Sequence, residues 1–320
     1  MTTAPPDAPG NQPLPPGFQL EGYRIERKLS MGGFSMVYLA HDEAGTSVAI
    51  KEYLPARLAR RIGDSPLSVV AEEDRVAFNH GLKAFFEEGR ILAHIDHPNV
   101  VKVLNFFRAN QTAYMVMRYE TGHNLQEIVR RFQERGESIK EEHLRNLFVP
   151  LLSGLREVHK QKLLHLDIKP ANIYLRNNGQ PVLIDFGASR QGLGGDSPVH
   201  GTVYTPGFAA PEQENSGQPL GPWTDIYSIG ATLYSCLAGR PPLAANLRLA
   251  HDGLERAERR WLKRYSAQLL ELIDWCMRLN VDERPQSVFA VQKVMQGELL
   301  DLVDPSWFDI PRVPKTGPGS

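Results

Sequence analysis

The chain is expected to fold as an α+β protein of two lobes, a small β-rich lobe with one main helix and a larger, mainly helical lobe. Three observations predict this. The first third alternates like strands, the pattern after Gly122 steps by three and four residues, and polar motifs gather where the two patterns meet. With 320 residues, 42% of them hydrophobic, the chain can bury one large or two modest cores. A net charge of -1 gives no support to a binder working through bulk positive charge, so no nucleic-acid partner is expected. Cys236 and Cys276 stand far apart in apolar helical patterns, which predicts buried thiols rather than a disulfide framework or a zinc site.

The opening "MTTAPPDAPGNQPLPPG" has no basic stretch leading into an apolar core, and its prolines predict a disordered leader over residues 1–17. "YRIERKLS", "SMVYLAHD" and "SVAIKEYL" then read as strands. Phe78, Leu82, Phe85, Phe86 and Leu92 recur at helical spacing, and "VVKVLNFFRANQTAYMVMRYE" reads as a strand pair about a polar turn. In the second lobe Leu144, Leu147, Phe148, Leu151, Leu152, Leu155 and Val158 mark one face of a long helix, in which Pro150 should leave a kink or a loose turn. Further helices are expected at 224–238, 266–279 and 286–300, and the tail 311–320 reads as disorder. No run of apolar residues is long enough for a membrane span, so a cytoplasmic protein without a membrane partner is expected.

Four motifs occur in order: the small-residue turn "LSMGGFSMVYLA", "VAIK" on a strand, "HLDIKPAN" after the long helix, and "LIDFGASR" after the next strand. Each alone is weak. Together, in these contexts, they resemble the eukaryotic-like (Hanks-type) Ser/Thr protein kinases of bacteria, from about Tyr23 to Leu300. The resemblance implies a bilobal protein-kinase-like fold over 18–310, with an N-lobe at about 18–120 and a C-lobe at about 121–310.

It also implies phosphoryl transfer from ATP with Mg2+ to serine or threonine hydroxyls of protein substrates, with self-phosphorylation at Ser197 or Thr202 and a place in bacterial signalling. Lys51 would hold the α- and β-phosphates, steered by Glu88 on the following helix, with Glu87 as runner-up. Asp185 and Asn172 would ligate magnesium, since a hard cation bridging phosphates takes oxygen ligands. Asp167 would orient the acceptor hydroxyl and take its proton, Lys169 would neutralise charge on the moving group, and Thr205 would bind both. Ser30, Gly32 and Ser35 would form the phosphate-covering turn. Val37, Ala49 and Tyr174 would sandwich adenine, Met117 would be the gatekeeper, the hinge would run from Arg118 through Tyr119 to Glu120, and Asn124 would meet the ribose. Leu92, His165 and Phe186 would stack, Glu212 would pair with Arg284, and Asp225 would cap the catalytic turn.

The sequence departs from the family in three places. Only the middle glycine of the turn is kept, with serines at 30 and 35, which suggests a weaker or stiffer cover over ATP. The stretch between Lys51 and Glu88 is long, and 52–75 reads as a solvated insert or a docking surface. Leu166 stands where the family commonly has an arginine that binds a phosphate on the activation segment. Two alternatives remain, a nucleotide-binding pseudokinase and a small-molecule phosphotransferase. The second is expected to lack "APE" (Ala210, Pro211, Glu212) and Thr205, both present here.

Overall fold

In the computed structural model, residues 11–61, 65–186, 190–191, 204–214 and 217–298 are described. The β-branched and aromatic runs of the first lobe form β1 (Gln19–Leu20), β2 (Tyr23–Met31), β3 (Ser35–His41) and β4 (Ser47–Tyr53). A hairpin follows, β5 (Ala59–Arg61) and β6 (Ser68–Val70), and then α1 (Arg75–Ala93), β7 (Val103–Ala109) and β8 (Thr112–Arg118). Six of these strands make one antiparallel sheet in the order β1-β2-β3-β4-β8-β7. The central position of β4 sets the site, because it places Lys51 between Val37 and Met115 on neighbouring strands.

Helix α1 packs its Phe78, Leu82, Phe85 and Leu92 face against this sheet. Gly81 permits the close approach, since a Cβ there would lie 2.0 Å from the Tyr53 hydroxyl. Glu88 follows about two turns later on the same face, which directs it to the same strand.

The second lobe holds β9 (Gly122–Asn124), α2 (Leu125–Glu134), α3 (Glu141–Lys160), β10 (Leu163–Leu164), β11 (Ile173–Arg176), β12 (Pro181–Leu183) and β13 (Arg190–Gln191). It continues through α4 (Pro211–Glu214), α5 (Pro222–Ala238), α6 (Ala245–Ala250), α7 (Ala257–Trp261), α8 (Ala267–Cys276) and α9 (Val288–Met295). Helix α3 continues through Pro150 without the loose turn that was one of the two expectations there. The stripe from Leu144 to Val158 is buried on both sides of the proline, and that packing holds the helix together despite one missing N–H donor. Helix α5 is buried along most of its length, the pattern of a core helix, and its buried polar groups such as Asp225 and Ser228 are hydrogen-bonded. Cys236 and Cys276 are free and buried, and burial pushes the Cys276 thiol up to about 12. Among the described residues no helix is long and apolar enough to cross a membrane.

Two expectations need correction. Within the 52–75 segment, Ala59–Arg61 and Ser68–Val70 pair as strands and Arg61 is buried against the fully buried Glu52 of β4, while Arg57, Arg60, Leu67 and Val69 stay exposed, so the solvated reading holds for only part of it. Tyr38 and Tyr114 donate their hydroxyls to the same carboxylate at 2.7 and 2.8 Å. Residues 11–17, expected within the disordered leader, are also pinned. Asn11 bonds Ala59 O and Arg61 N at 3.0 and 2.8 Å, Arg61 Nη1 donates to Gln12 O, and Leu14 is 1% exposed. The tail 311–320 and the self-phosphorylation candidates Ser197 and Thr202 lie outside the described residues.

Candidate active site

The turn between β10 and β11 presents its polar residues at the junction of the lobes. Asp167 Oδ2 accepts Lys169 Nζ at 2.7 Å and Asn172 Nδ2 at 2.9 Å, while Oδ1 accepts the Thr205 hydroxyl at 2.8 Å. Lys169 also donates to Thr205 Oγ1 at 2.8 Å. A carboxylate offers about four acceptor positions, so these three donors leave room for one more on Oδ1.

The turn is held from beneath. Asp225 on α5 accepts His165 N and Leu166 N at 2.9 and 2.8 Å, and His159 Nε2 lies 2.7 Å from its Oδ2. Burial alone would raise the Asp225 carboxyl, but the His159 hydrogen bond and charge together with the His165 contacts hold it below the usual carboxylate range. His165 is buried, which pushes its imidazole below the ordinary histidine value. That fits a neutral ring whose Nδ1 accepts Asp167 N at 3.3 Å and whose Nε2 donates to Ile184 O at 3.3 Å. His165 packs on Phe186 with ring centroids 4.4 Å apart, and Leu92 is buried in the same core.

Across the cleft Lys51 Nζ sits 2.8 Å from Asp185 Oδ1 and 3.6 Å from Glu88 Oε1. Burial would lower this ammonium, and the two carboxylates outweigh it and raise it above the ordinary lysine value. Glu88 is therefore the glutamate that meets Lys51, while Glu87 pairs with Arg90 on the exposed face. Asp185 takes a left-handed φ of 60°. Asn172 lies beside it, because Ile184 N donates to Asn172 O at 3.0 Å.

The donor set here fits magnesium. Asn172 commits Nδ2 to Asp167 and keeps an amide oxygen, and Asp185 adds a carboxylate, so both ligands are hard oxygens.

Strand register fixes where the residues expected around the nucleotide lie. Val37 lies opposite Lys51, Ala49 lies opposite Met117, and Tyr174 lies opposite Asn124. Tyr119 is half-buried after β8. Asn124 caps α2, accepting Glu127 N at 2.8 Å and donating to Glu127 Oε1 at 3.1 Å, so its amide is already engaged at the place expected for a ribose contact. In the serine-bearing turn Gly32 N donates to Ser35 O at 2.9 Å, and none of Ser30, Gly32 or Ser35 has positive φ. Serine therefore imposes no backbone strain there.

Glu212 pairs with Arg284 at 2.8 Å, both buried, and accepts Thr224 Oγ1 at 2.9 Å. Sequence reasoning missed Gln213, which joins Ala210 N to Leu166 O, as well as His159 beneath Asp225. Neither residue type signals such a role. Only the proximity created by folding reveals it.

The family described as protein kinase domain matches residues 23–299. The chain is 29% identical over 276 residues to the serine/threonine-protein kinase PkaA of Streptomyces coelicolor, covering 83% of this chain and 48% of that protein. It is 29% identical over 291 residues to serine/threonine-protein kinase C of Synechocystis, covering 88% and 50%, and 31% identical over 256 residues to human Nek2, covering 76% and 56%. The chain thus spans about half the length of the curated relatives it matches. A solved structure, PpkA-294 in its apo form, superposes with a TM-score of 0.75 at 32% identity, covering 88% of this chain and 99% of that one. With the family match running across both lobes and the fold shared, the chain belongs to the protein kinase domain family.

Proposed function

We propose that this chain is an ATP- and magnesium-dependent protein kinase that phosphorylates serine or threonine hydroxyls of protein substrates, itself included, in bacterial signalling. The observation that carries the reading is the hydrogen-bonded set of Asp167, Lys169, Asn172 and Thr205 facing the Lys51–Asp185 pair.

In this reading Lys51, steered by Glu88, holds the α- and β-phosphates, and Val37, Ala49, Met117, Tyr119 and Tyr174 hold the base. Asn172 and Asp185 hold the cation, which when bound neutralises charge on the β- and γ-phosphates. Asp167 Oδ1 has room for the acceptor hydroxyl. As the acceptor oxygen bonds to the γ-phosphorus and the bond to the β-phosphate oxygen breaks, the hydroxyl proton passes to Asp167 and ADP carries away the electron pair. Lys169 offsets negative charge on the transferring group. Positioning and charge stabilisation supply nearly all the acceleration.

The absence of positive φ at Ser30, Gly32 and Ser35 supports the catalytic reading over a non-catalytic, nucleotide-binding one. Incubation with γ-labelled ATP and magnesium tests the reading, using peptides that differ only in carrying serine, threonine or tyrosine. Label on serine and threonine peptides, lost in Asp167→Asn, is the expected result. Label on none of them, or undiminished labelling by the variant, overturns it.

A further inference from the structure

Gln213, on the short helix α4, has no part in the chemistry described above. Its side-chain amide nevertheless joins two distant segments, accepting Ala210 N at Oε1 (2.9 Å) and donating from Nε2 to Leu166 O (2.8 Å). The Leu166 carbonyl belongs to the peptide group whose nitrogen is that of Asp167, so anything that holds this carbonyl also sets where the Asp167 side chain starts. Leu166 takes a left-handed φ of 62°, a conformation a branched residue keeps only when its surroundings impose it. Those surroundings are specific. Asp225 Oδ1 accepts the Leu166 N–H at 2.8 Å on one side, and Gln213 takes the carbonyl on the other.

Leu166 is 3% exposed, and its apolar side chain offers nothing to a charged group on the activation segment. Beside the Thr205 hydroxyl that bonds Asp167, a neutral amide thus bonds the backbone of both catalytic turn and segment. The segment end that Gln213 fixes at Ala210 is continuous with Thr205, whose hydroxyl bonds Asp167.

We propose that Gln213 is a positioning residue for phosphoryl transfer, locking the catalytic turn to the end of the activation segment so that Asp167 and Thr205 stay in register without a phosphate-bound arginine. The inference rests on the role proposed for Asp167. Gln213→Glu tests it, being isosteric and able to accept from Ala210 N while setting a carboxylate against the Leu166 carbonyl. Gln213→Met keeps the volume and removes both bonds, and it serves if the first variant folds poorly.

The expected result is a fall of about ten- to a hundredfold in kcat for a serine peptide, the usual cost of ångström-scale misplacement, with KM for ATP within twofold of wild type. In an Asp167→Asn background the same substitution should cost less than twofold, because Gln213 acts through Asp167. Wild-type kcat in both folded variants overturns the inference, as does an undiminished penalty in the Asp167→Asn background. If Asp167→Asn alone retains full activity, the catalytic reading itself fails, and that outcome is separate.

Discussion

Replacing Arg61 by methionine tests the N-lobe where it departs most from expectation. Glu52 is fully buried, and Arg61 is the cation that meets its carboxylate. The tyrosine hydroxyls of Tyr38 and Tyr114 bond that carboxylate but carry no charge. Removing one partner of such a buried pair costs roughly 3–5 kcal/mol, because the remaining ion stays out of water. The carbonyls of Gln12 and Pro66 lose their donors as well, at about 1 kcal/mol each when partly solvated. A loss of about 5–7 kcal/mol follows, a large share of the roughly 5–15 kcal/mol that stabilises a domain. Urea unfolding followed by circular dichroism measures it. The double variant Arg61→Met, Glu52→Gln should recover most of the loss, since the stranded charge is then gone. Stability of the single variant within 1 kcal/mol of wild type would refute the reasoning, as would a double variant no better than the single one. Excising 55–72 removes Arg61 too, so it should destabilise at least as much.

Asp167→Asn should lower phosphotransfer by roughly 10²-fold or more while nucleotide binding persists, whereas Asp185→Ala should also abolish magnesium-dependent binding; isothermal titration with and without magnesium separates the two. Stability should fall on acidification below about 6.5, the ordinary histidine value, by up to about 1.4 kcal/mol per pH unit for the fully buried His165 and by less for the partly exposed His97, where solvent screens the effect. Burial holds His165 and His97 below that value, so the unfolded chain binds the extra protons. Urea unfolding at pH 7.5 and 5.5 checks the sign, and a flat or rising stability contradicts it. The Ser197→Ala, Thr202→Ala double variant should keep activity within a few-fold of the phosphorylated enzyme, because Leu166 provides no cation for a segment phosphate. A hundredfold loss in a folded protein would count against that.

Local pattern carried most of the fold. The period-two strands and the stripe from Leu144 to Val158 depend on near neighbours, and a reader of the chain can see those neighbours. The candidate catalytic set was proposed for another reason, since Asp167, Lys169 and Asn172 lie within one turn whose motif carries the resemblance, and the structure brings these three together. What escaped notice depends on partners far apart. Arg61 sits in a basic run that looks solvated until Glu52, on a strand facing it, is buried beneath it. Gln213 is an ordinary polar residue until the fold brings it under Leu166. Pro150 leaves the helix continuous because the apolar face on both sides of it is packed.

The serine-bearing turn and the long hairpin look unrelated in sequence, yet the structure joins them. Successive residues of a strand point to opposite faces, so Lys51 reaches the cleft while Glu52 is gripped from behind by Arg61. The start of the inserted segment also reaches the tip of the turn, with Leu54 N donating to Phe34 O and Ala56 N to Gly33 O, each at 2.9 Å. A turn bonded in this way has less need of glycine's conformational range, because its backbone is fixed by neighbours rather than left to adapt. The hairpin in turn is held by Asn11 and Gln12. The segment before β1, the inserted hairpin and the serine-bearing turn therefore constrain one another. A perturbation at Arg61 should thus reach the Lys51 strand from behind before it changes any group that faces the nucleotide.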